Sequence, residues 1–261
     1  MRLARIASPD AVAFVSIEGE PGQEVAREIA EHPFGTPTFT GRSWPLKEVR
    51  LLAPILASKV VCMGKNYLEH IEEMKDMTGP ASEDPIIFLK PNTAIIGPGV
   101  PIQLPANAFP VHHEGELAAV IGRPCKDVPA ARAAENILGY TIANDVSARD
   151  QQKADGQWMR GKGHDTFCPV GPWIVTDLDP SDLEIRTEVN GEVRQRSRTS
   201  MMIHDVGAII EWISAVMTLL PGDLILTGTP AGVGPLEHGD TVSVSIEGIG
   251  TLTNPVIRKG K

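Results

Sequence analysis

The chain has 261 residues, of which 42% are hydrophobic and 22% are charged, a composition that excludes disordered, collagen-like and coiled-coil proteins. It contains 25 glycines and 22 prolines but only 5% aromatic residues, which favours a turn-rich fold with an aliphatic, β-rich core. The formal net charge of -9 repels phosphate backbones and anionic lipids, so we expect neither nucleic acid nor membrane as a partner.

The sequence also bears on the compartment in which the protein works. Its first ten residues lack the apolar stretch of a signal peptide, and the longest apolar tract, 206–220, is too short to cross a bilayer. The three cysteines are far apart and form no paired motif, which is typical of free thiols in a reducing compartment. We therefore expect a soluble, cytoplasmic protein.

Residues 1–56 predict a small N-terminal domain that contains β-strands. Two short apolar segments, joined by a turn at 8–10, indicate a hairpin, and a third apolar segment follows near the end of the domain. Glycine and proline at 35–37, together with Gly41, predict an irregular connection between them. The predicted strands are Leu3–Ile6, Val12–Ile17 and Val49–Leu52.

Residues 57–261 predict a second, larger domain with a β-rich α+β fold. Its segments lack the strict strand–helix alternation of a TIM barrel or a doubly wound sheet. The clearest helix is Val206–Leu220, with Asp205 as its cap and a stop at 221–222, and a shorter helix is predicted at Asn66–Met74. An apolar run, Lys59–Met63, opens the domain, and the predicted strands are Pro85–Leu89, Glu116–Ile121, Tyr140–Asn144, Trp173–Thr176, Leu183–Val189, Leu224–Thr227 and Thr241–Ile246.

Three carboxylates lie where apolar strands begin or end. Glu114 and Glu116 are two apart, so on a strand they project from one face with Cα atoms roughly 6.5 Å apart. Asp145 follows directly after a second apolar strand. Oxygen donors without a nearby thiolate suit Mg²⁺, Mn²⁺ or Ca²⁺ better than Zn²⁺. The alternative is that the glutamates are solvated at an exposed strand end.

Two further groups are candidates for catalysis. Lys162 lies between glycines before an apolar segment, where it could be buried and neutralise a substrate carboxylate, or it could be a loop lysine in water. His70 and Glu73 are three apart on the predicted short helix, so they share a face and can form a general-base pair or a plain surface pair.

Other polar motifs carry a weaker signal. Because His112 and His113 are adjacent on a strand, at most one of them can join the glutamates. The glycine-rich segment 228–234 lacks the dinucleotide-binding spacing, and it predicts either a tight loop that brings Thr229 near a small anion or a plain turn. The sequence contains no convincing serine-hydrolase motif.

Six segments, in this order along the chain, resemble motifs of the fumarylacetoacetate hydrolase superfamily. They are 64–67 with His70, 88–91, 113–117, 144–150, Lys162 with 165–169, and 226–230. The resemblance covers about 59–254. It implies a β-roll catalytic domain, usually in a homodimer, with a smaller N-terminal domain.

The resemblance also implies roles for individual residues. The corresponding metal ligands, for Mg²⁺ or Mn²⁺, are Glu114, Glu116 and Asp145. The corresponding catalytic residues are Lys162 and, on a mobile lid, His70 and Glu73. The predicted substrate contacts are Lys65, Arg149, Gln152 and Thr229. Lys65 stands where many relatives have arginine, and an ammonium group cannot reproduce a bidentate guanidinium contact, which leaves the distal group of the substrate open.

These residues predict a metal-dependent enzyme that stabilises the enolate of a small 2-oxo acid, 2-hydroxydienoate or dicarboxylate. The first hypothesis is isomerisation of 2-hydroxyhepta-2,4-diene-1,7-dioate in aromatic-acid degradation, in line with bacterial members of the family. The alternatives are hydrolysis of a C–C bond in acylpyruvates and decarboxylation of oxaloacetate. A non-enzyme alternative is a structural cation-binding protein.

Overall fold

The computed structural model describes residues 1–79, 82 and 84–258, and most of its regular structure is β-strand. The strands are β1 (Arg2–Ala7), β2 (Val12–Glu18), β3 (Val25–Ile29), β4 (Phe39–Pro45), β5 (Arg50–Leu51), β6 (Val60–Gly64), β7 (Ile86–Lys90), β8 (Ile95–Ile96), β9 (Ile102–Leu104), β10 (Val111–His113), β11 (Gly115–Ile121), β12 (Ile137–Asn144), β13 (Ser147–Ala148), β14 (Cys168–Val175), β15 (Glu184–Val189), β16 (Glu192–Arg198), β17 (Leu224–Leu226), β18 (Gly234–Pro235), β19 (Thr241–Ile246) and β20 (Gly250–Arg258). The α-helices are α1 (Leu68–Thr78), α2 (Arg149–Asp155), α3 (Met159–Lys162) and α4 (Val206–Val216). Short 3-10 helices lie at Leu46–Glu48, Asn92–Ala94, Ala130–Asn136 and Thr199–Met201.

A twelve-stranded sheet forms the centre of the molecule, in the order β4-β3-β2-β1-β14-β12-β11-β17-β6-β7, with β5 beside β1 and β8 beside β14. Strands β6 and β11 are buried at every position, which matches their continuous apolar sequences. The strands β16-β15-β19-β20-β9 form a second sheet, and β13-β10-β18 form a third. These elements confirm the predicted β-rich α+β class.

The main core lies between the large sheet, the five-stranded sheet and helix α4. Leu117 and Ile121 from β11 meet Ile185 from β15, Val244 from β19 and Ile213 from α4. Each of these five side chains has at most 1% of its surface exposed. This packing fixes β11, which carries one of the predicted metal ligands, against both sheets and the helix.

The N-terminal strands continue the central sheet. Strand β1 pairs antiparallel with β14, with Arg2 opposite Val175. The predicted irregular connection at Gly41 is wrong, because Gly41 lies inside β4. Strand β4 is at the edge of the sheet and almost wholly exposed, so its sequence lacks the alternation of apolar and polar residues that marks a half-buried strand.

The two predicted helices exist with shifted ends. Asp205 caps α4 by accepting a hydrogen bond from the Ala208 backbone N at 2.8 Å, as predicted. The helix ends at Val216 rather than Leu220, because Leu219 leaves it to form a bridge with Cys125. Helix α1 begins at Leu68 and runs to Thr78, four residues beyond the predicted end. Among the described residues, no helix is long and apolar enough to cross a membrane.

Candidate active site

The three predicted metal ligands meet at the ends of β11 and β12. These strands are antiparallel, with Gly115 opposite Asn144, so that Glu114 and Glu116 lie beside Asp145. The Asp145 backbone N donates a hydrogen bond to the Glu114 carbonyl O at 2.8 Å. One carboxylate oxygen from each of the three residues lies within 4.8 Å of the others, and all three residues are buried. The alternative of solvated glutamates is therefore wrong.

Three basic side chains contact this cluster. The Lys162 Nζ lies 2.7 Å from Glu114 Oε2 and 2.6 Å from Asp145 Oδ2. Lys90 Nζ lies 2.5 Å from the other oxygen of Asp145, and Arg149 Nη2 lies 2.5 Å from Glu114 Oε1. All three basic residues are at most 2% exposed. Lys162 is thus buried among carboxylates, and the alternative of a loop lysine in water is wrong.

Glu116 differs from the other two carboxylates in its partners. Its Oε2 accepts a hydrogen bond from the Gly228 backbone N at 2.6 Å, but no basic side chain of the described residues forms an ion pair with it. Burial, followed by the charges of Asp145 and Glu114, raises the pKa of Glu116 well above its ordinary value. An additional cation beside Glu116 would remove this penalty.

The pKa values of Glu114 and Lys162, unlike that of Glu116, are shifted in the direction that favours the charged form. Burial alone would raise the pKa of Glu114, but Lys162 and Arg149 outweigh it and hold that pKa far below its usual range. Burial would lower the pKa of Lys162, but Asp145 and Glu114 outweigh it and raise that pKa. The ammonium and the Glu114 carboxylate are therefore both charged at neutral pH.

This donor set fits a divalent cation. Three buried carboxylates from Glu114, Glu116 and Asp145 offer only oxygen, the ligand that Mg²⁺ and Mn²⁺ prefer. The Lys162 ammonium already lies between two of them, which shows that a positive charge is favourable at this point. Glu116, with no ion-pair partner among the described residues, leaves charge for a metal to neutralise.

His70 and Glu73 form a pair on helix α1. The His70 Nδ1 lies 3.1 Å from Glu73 Oε2. The two carboxylate oxygens of Glu73 also accept the Gly232 backbone N–H at 3.0 and 3.2 Å. Burial would raise the pKa of Glu73, but the hydrogen bonds from His70 and Gly232 outweigh it and lower that pKa. The pair thus joins α1 to the glycine-rich loop, and His70 is buried.

One cavity brings the predicted site residues together. The predicted residues that line it are Lys65, His70, Glu114, Glu116, Asp145, Arg149, Gln152, Lys162 and Thr229. Glu73 is the exception, since it contacts His70 and the loop. Neither His112 nor His113 belongs to the carboxylate cluster, and His113 Nδ1 instead lies 3.2 Å from Gln195 Oε1.

Three further residues shape this site, and none of them was predicted to have a role. Lys90 pairs with Asp145, and a lysine at the end of an apolar strand was a signal that could have revealed it. Trp158 lines the cavity and packs edge-on against Phe88 with ring centroids 5.3 Å apart. Gln195 is fully buried on β16 but lies among charged residues, a context that gives no signal of burial.

Comparisons with known proteins agree with this architecture. The family model described as fumarylacetoacetate (FAA) hydrolase C-terminal matches residues 59–257, and the model described as Rv2993c-like, N-terminal, matches residues 1–54. The chain is 77% identical to protein Rv2993c of Mycobacterium tuberculosis over 267 residues, covering 100% of both chains. It is 44% identical to a mitochondrial oxaloacetate tautomerase of Xenopus laevis, covering 80% of this chain and 69% of that protein.

Solved structures give the same result. The crystal structure of 2-hydroxyhepta-2,4-diene-1,7-dioate isomerase from Mycobacterium marinum is 79% identical and matches with a TM-score of 0.93, covering 100% of both chains. The structure of maleylpyruvate hydrolase from Sphingobium sp. SYK-6 with manganese(II) and pyruvate is 30% identical, with a TM-score of 0.80 and 100% coverage of both. The chain therefore belongs to the fumarylacetoacetate hydrolase family.

Proposed function

We propose that the protein is a divalent-metal-dependent enzyme that moves protons on 2-oxo acids and their enols, and that its reaction is isomerisation of 2-hydroxyhepta-2,4-diene-1,7-dioate. One observation carries the proposal. A single cavity is lined by a carboxylate cluster that fits Mg²⁺ or Mn²⁺, a buried ammonium group and a histidine held by a carboxylate. The similarity to the isomerase from M. marinum supports this choice of substrate.

The residues that would hold the metal are Glu114, Glu116 and Asp145. When bound there, Mg²⁺ or Mn²⁺ would supply a Lewis acid that stabilises the negative charge of an enolate. Lys162 adds a fixed positive charge at the same end of the cavity, with its Nζ 5.0 Å from the centre of the Phe88 ring. A charge fixed in advance costs no reorganisation when the negative charge of the substrate develops.

His70 is the proposed proton carrier. A carboxylate only accepts hydrogen bonds, so the contact with Glu73 Oε2 places the ring proton of neutral His70 on Nδ1. The unprotonated Nε2 is then the atom that takes a proton from a substrate carbon and returns it to another. The Gly232 backbone N–H donates a hydrogen bond to Glu73, and Glu73 accepts one from His70. This chain of two hydrogen bonds orients the His70 ring.

The charges favour a substrate with two negative groups. The three carboxylates of the cluster lie among three basic side chains, Lys90, Lys162 and Arg149, so their formal charges cancel. A divalent cation would add two positive charges to this neutral group. Lys65 lies on the cavity wall and adds a further basic group. A dicarboxylate, or a carboxylate that becomes an enolate, would restore the balance.

A second candidate function is C–C bond cleavage of an acylpyruvate, or decarboxylation of oxaloacetate. It is favoured by the same His70–Glu73 pair, which can activate water as readily as it can move a proton on carbon. The similarity to maleylpyruvate hydrolase, at 30% identity, supports hydrolysis, and the similarity to an oxaloacetate tautomerase supports oxaloacetate as a ligand.

Proton NMR in D₂O separates these reactions. Metal-stripped protein is incubated with and without Mg²⁺ and with hydroxyheptadienedioate, oxaloacetate or acetylpyruvate. Metal-dependent deuterium uptake with an intact carbon skeleton is the expected result. Metal-dependent release of pyruvate would favour cleavage instead. No metal-dependent change in any of the three would contradict the proposal and favour a structural cation site.

The proposed assembly is a cytoplasmic homodimer, on the strength of the family resemblance. Light scattering of the purified protein, with and without Mg²⁺, measures its mass directly. A mass near that of one 28.0 kDa chain would contradict the dimer.

A further inference from the structure

Gln195 makes four hydrogen bonds around the site although it does not line the cavity. It is fully buried on β16. Its Oε1 accepts a hydrogen bond from the Gly115 backbone N at 3.0 Å, and its Nε2 donates one to the Pro230 carbonyl at 2.7 Å. A backbone N–H only donates and a carbonyl only accepts, so these two partners fix which end of the amide is oxygen.

The fixed amide determines the role of the Thr229 hydroxyl. The second hydrogen of Gln195 Nε2 points to Thr229 Oγ1 at 2.7 Å, so Thr229 accepts there. Thr229 donates its own hydrogen to the Gly115 carbonyl at 2.9 Å. A hydroxyl has one hydrogen and two lone pairs, and only one lone pair therefore remains for a ligand in the cavity that Thr229 lines.

The other end of the amide is occupied as well. Gln195 Oε1 also lies 3.2 Å from His113 Nδ1. An amide oxygen only accepts hydrogen bonds, so the Nδ1 of His113 carries the proton that faces it. Both hydrogens and both lone pairs of the Gln195 amide thus have partners, and the amide cannot turn over without losing several of them.

We propose that Thr229 acts toward the substrate only as a hydrogen-bond acceptor, and that the site therefore selects an oxygen that carries a proton. This inference rests on the proposed function and specifies its ligand: the hydroxyl of a 2-hydroxydienoate or of an enol, in preference to the carbonyl of the 2-oxo form. A carbonyl oxygen facing the free lone pair of Thr229 would meet repulsion. Gln195 is then a positioning residue that acts through Thr229.

Pyruvate and the two lactate enantiomers test this preference, because they differ chiefly in whether the oxygen at C2 carries a proton. Their dissociation constants are measured by calorimetry on the Mn²⁺-loaded protein. In Thr229→Val we expect the better-binding lactate to weaken about five- to tenfold, the value of one hydrogen bond, and pyruvate by less than about twofold. Thr229→Ser keeps the hydroxyl and should restore lactate binding.

A Thr229→Val protein that loses pyruvate affinity as much as lactate affinity would show that the hydroxyl donates to the ligand, and would overturn the proposal. Unchanged affinity for both ligands would overturn it too. If the wild-type protein binds neither ligand with Mn²⁺, the proposed function fails and this inference fails with it. If the wild-type protein binds both lactate and pyruvate and shows metal-dependent deuterium uptake, but Thr229→Val does not weaken lactate more than pyruvate, only the acceptor role of Thr229 is contradicted. The proposed function then stands.

Gln195→Leu tests the positioning role. Without the Gln195 amide, the Thr229 hydroxyl can rotate and donate its hydrogen to the ligand. The ratio of lactate affinity to pyruvate affinity should therefore lie between the ratio in the wild type and the ratio in Thr229→Val. Asn254→Leu is the matched control, since Asn254 is a buried amide that donates to the Gly97 and Val100 carbonyls and does not line the cavity. It should lower stability and leave the ratio unchanged. A parallel loss of both ligands in Gln195→Leu would contradict the role.

Discussion

Two buried carboxylate clusters in this molecule differ in how completely their hydrogen bonds are made. Asp223, with no exposed surface, accepts hydrogen bonds from the Ser58 hydroxyl at 2.5 Å, the Lys59 backbone N at 3.2 Å and the Leu220 backbone N at 2.8 Å, and it pairs with the Lys59 ammonium. Each of its oxygens has two donors. This cluster joins the start of the larger predicted domain to the turn after α4.

The cluster in the cavity is also buried and contains more ions, yet its hydrogen bonds are incomplete. Among the described residues, Arg149, which lines the cavity and pairs with Glu114, has a buried Nε atom without a hydrogen-bond partner, and the buried Tyr67 Oη lacks one too. The charge of Glu116 contributes to the raised pKa of Tyr67 after burial itself. Buried groups are nearly always satisfied in folded proteins, so the difference marks the cavity as a place for a ligand and Asp223 as part of the fold.

Of the substitutions that distinguish the cavity from the Asp223 cluster, His70→Ala is expected to have the largest effect, and that effect is on turnover. If His70 is the proton carrier of the cavity, turnover of the substrate should fall by about 10²- to 10⁴-fold. Steady-state kinetics with Mg²⁺ measure it. The matched control is the exposed His32→Ala, which should keep wild-type turnover. Turnover of His70→Ala within threefold of wild type would remove the histidine from the mechanism.

Asp223→Asn should affect stability and spare the site. The amide would turn an NH₂ group toward two donors and leave Lys59 without its counter-ion, at a cost of about 3 kcal/mol in the free energy of unfolding. Urea denaturation measures this cost. The affinity for Mn²⁺ should equal that of the wild type, and a tenfold loss of it would show that the two clusters are coupled.

Glu116→Gln should have the opposite effect, a loss of Mn²⁺ affinity without a loss of stability. The substitution keeps the shape of the side chain but removes one metal ligand, so Mn²⁺ affinity should fall by about 100-fold or more, the upper range for groups that only support ligands. Stability of the metal-free protein should stay level or rise, because burial beside Asp145 and Glu114 disfavours the ionised form of Glu116, a cost that the neutral amide of glutamine avoids. If Glu116→Gln destabilises the metal-free protein and leaves the Mn²⁺ affinity intact, Glu116 supports the fold, as Asp223 does, and is not a metal ligand.

The cavity cluster could be predicted from sequence because its signals are local. Glu114 and Glu116 flank one residue at the start of an apolar strand, so strand geometry puts them on one face, and Asp145 follows the next long strand, which pairs with the first. The same holds for His70 and Glu73 on one helix face. The long central strands were predictable because buried strands are continuously apolar.

The Asp223 cluster and Gln195 could not be predicted in this way. Asp223 contacts residues more than 160 positions away, and Gln195 reaches Gly115 across 80 positions, from a strand whose neighbours are charged and exposed. Strand β4 escaped prediction because an exposed edge strand needs no apolar alternation. The early end of α4 depends on the bridge between Leu219 and Cys125, a tertiary contact that overrides the helical spacing.

The smallest expected effect is on the increase in the free energy of unfolding when Mn²⁺ is added. Comparing this increase between variants tests whether the two clusters act independently. A ligand that binds only the folded state adds about 2.7 kcal/mol to the free energy of unfolding at 100 times its dissociation constant. Wild type and Asp223→Asn should gain the same increment in urea denaturation, because distant sites are additive within about 0.5 kcal/mol. Glu116→Gln at the same Mn²⁺ concentration should gain less than half of it. A smaller increment in Asp223→Asn would mean that the cluster beside α4 supports the cavity, so that its complete hydrogen bonding would serve binding as well as folding.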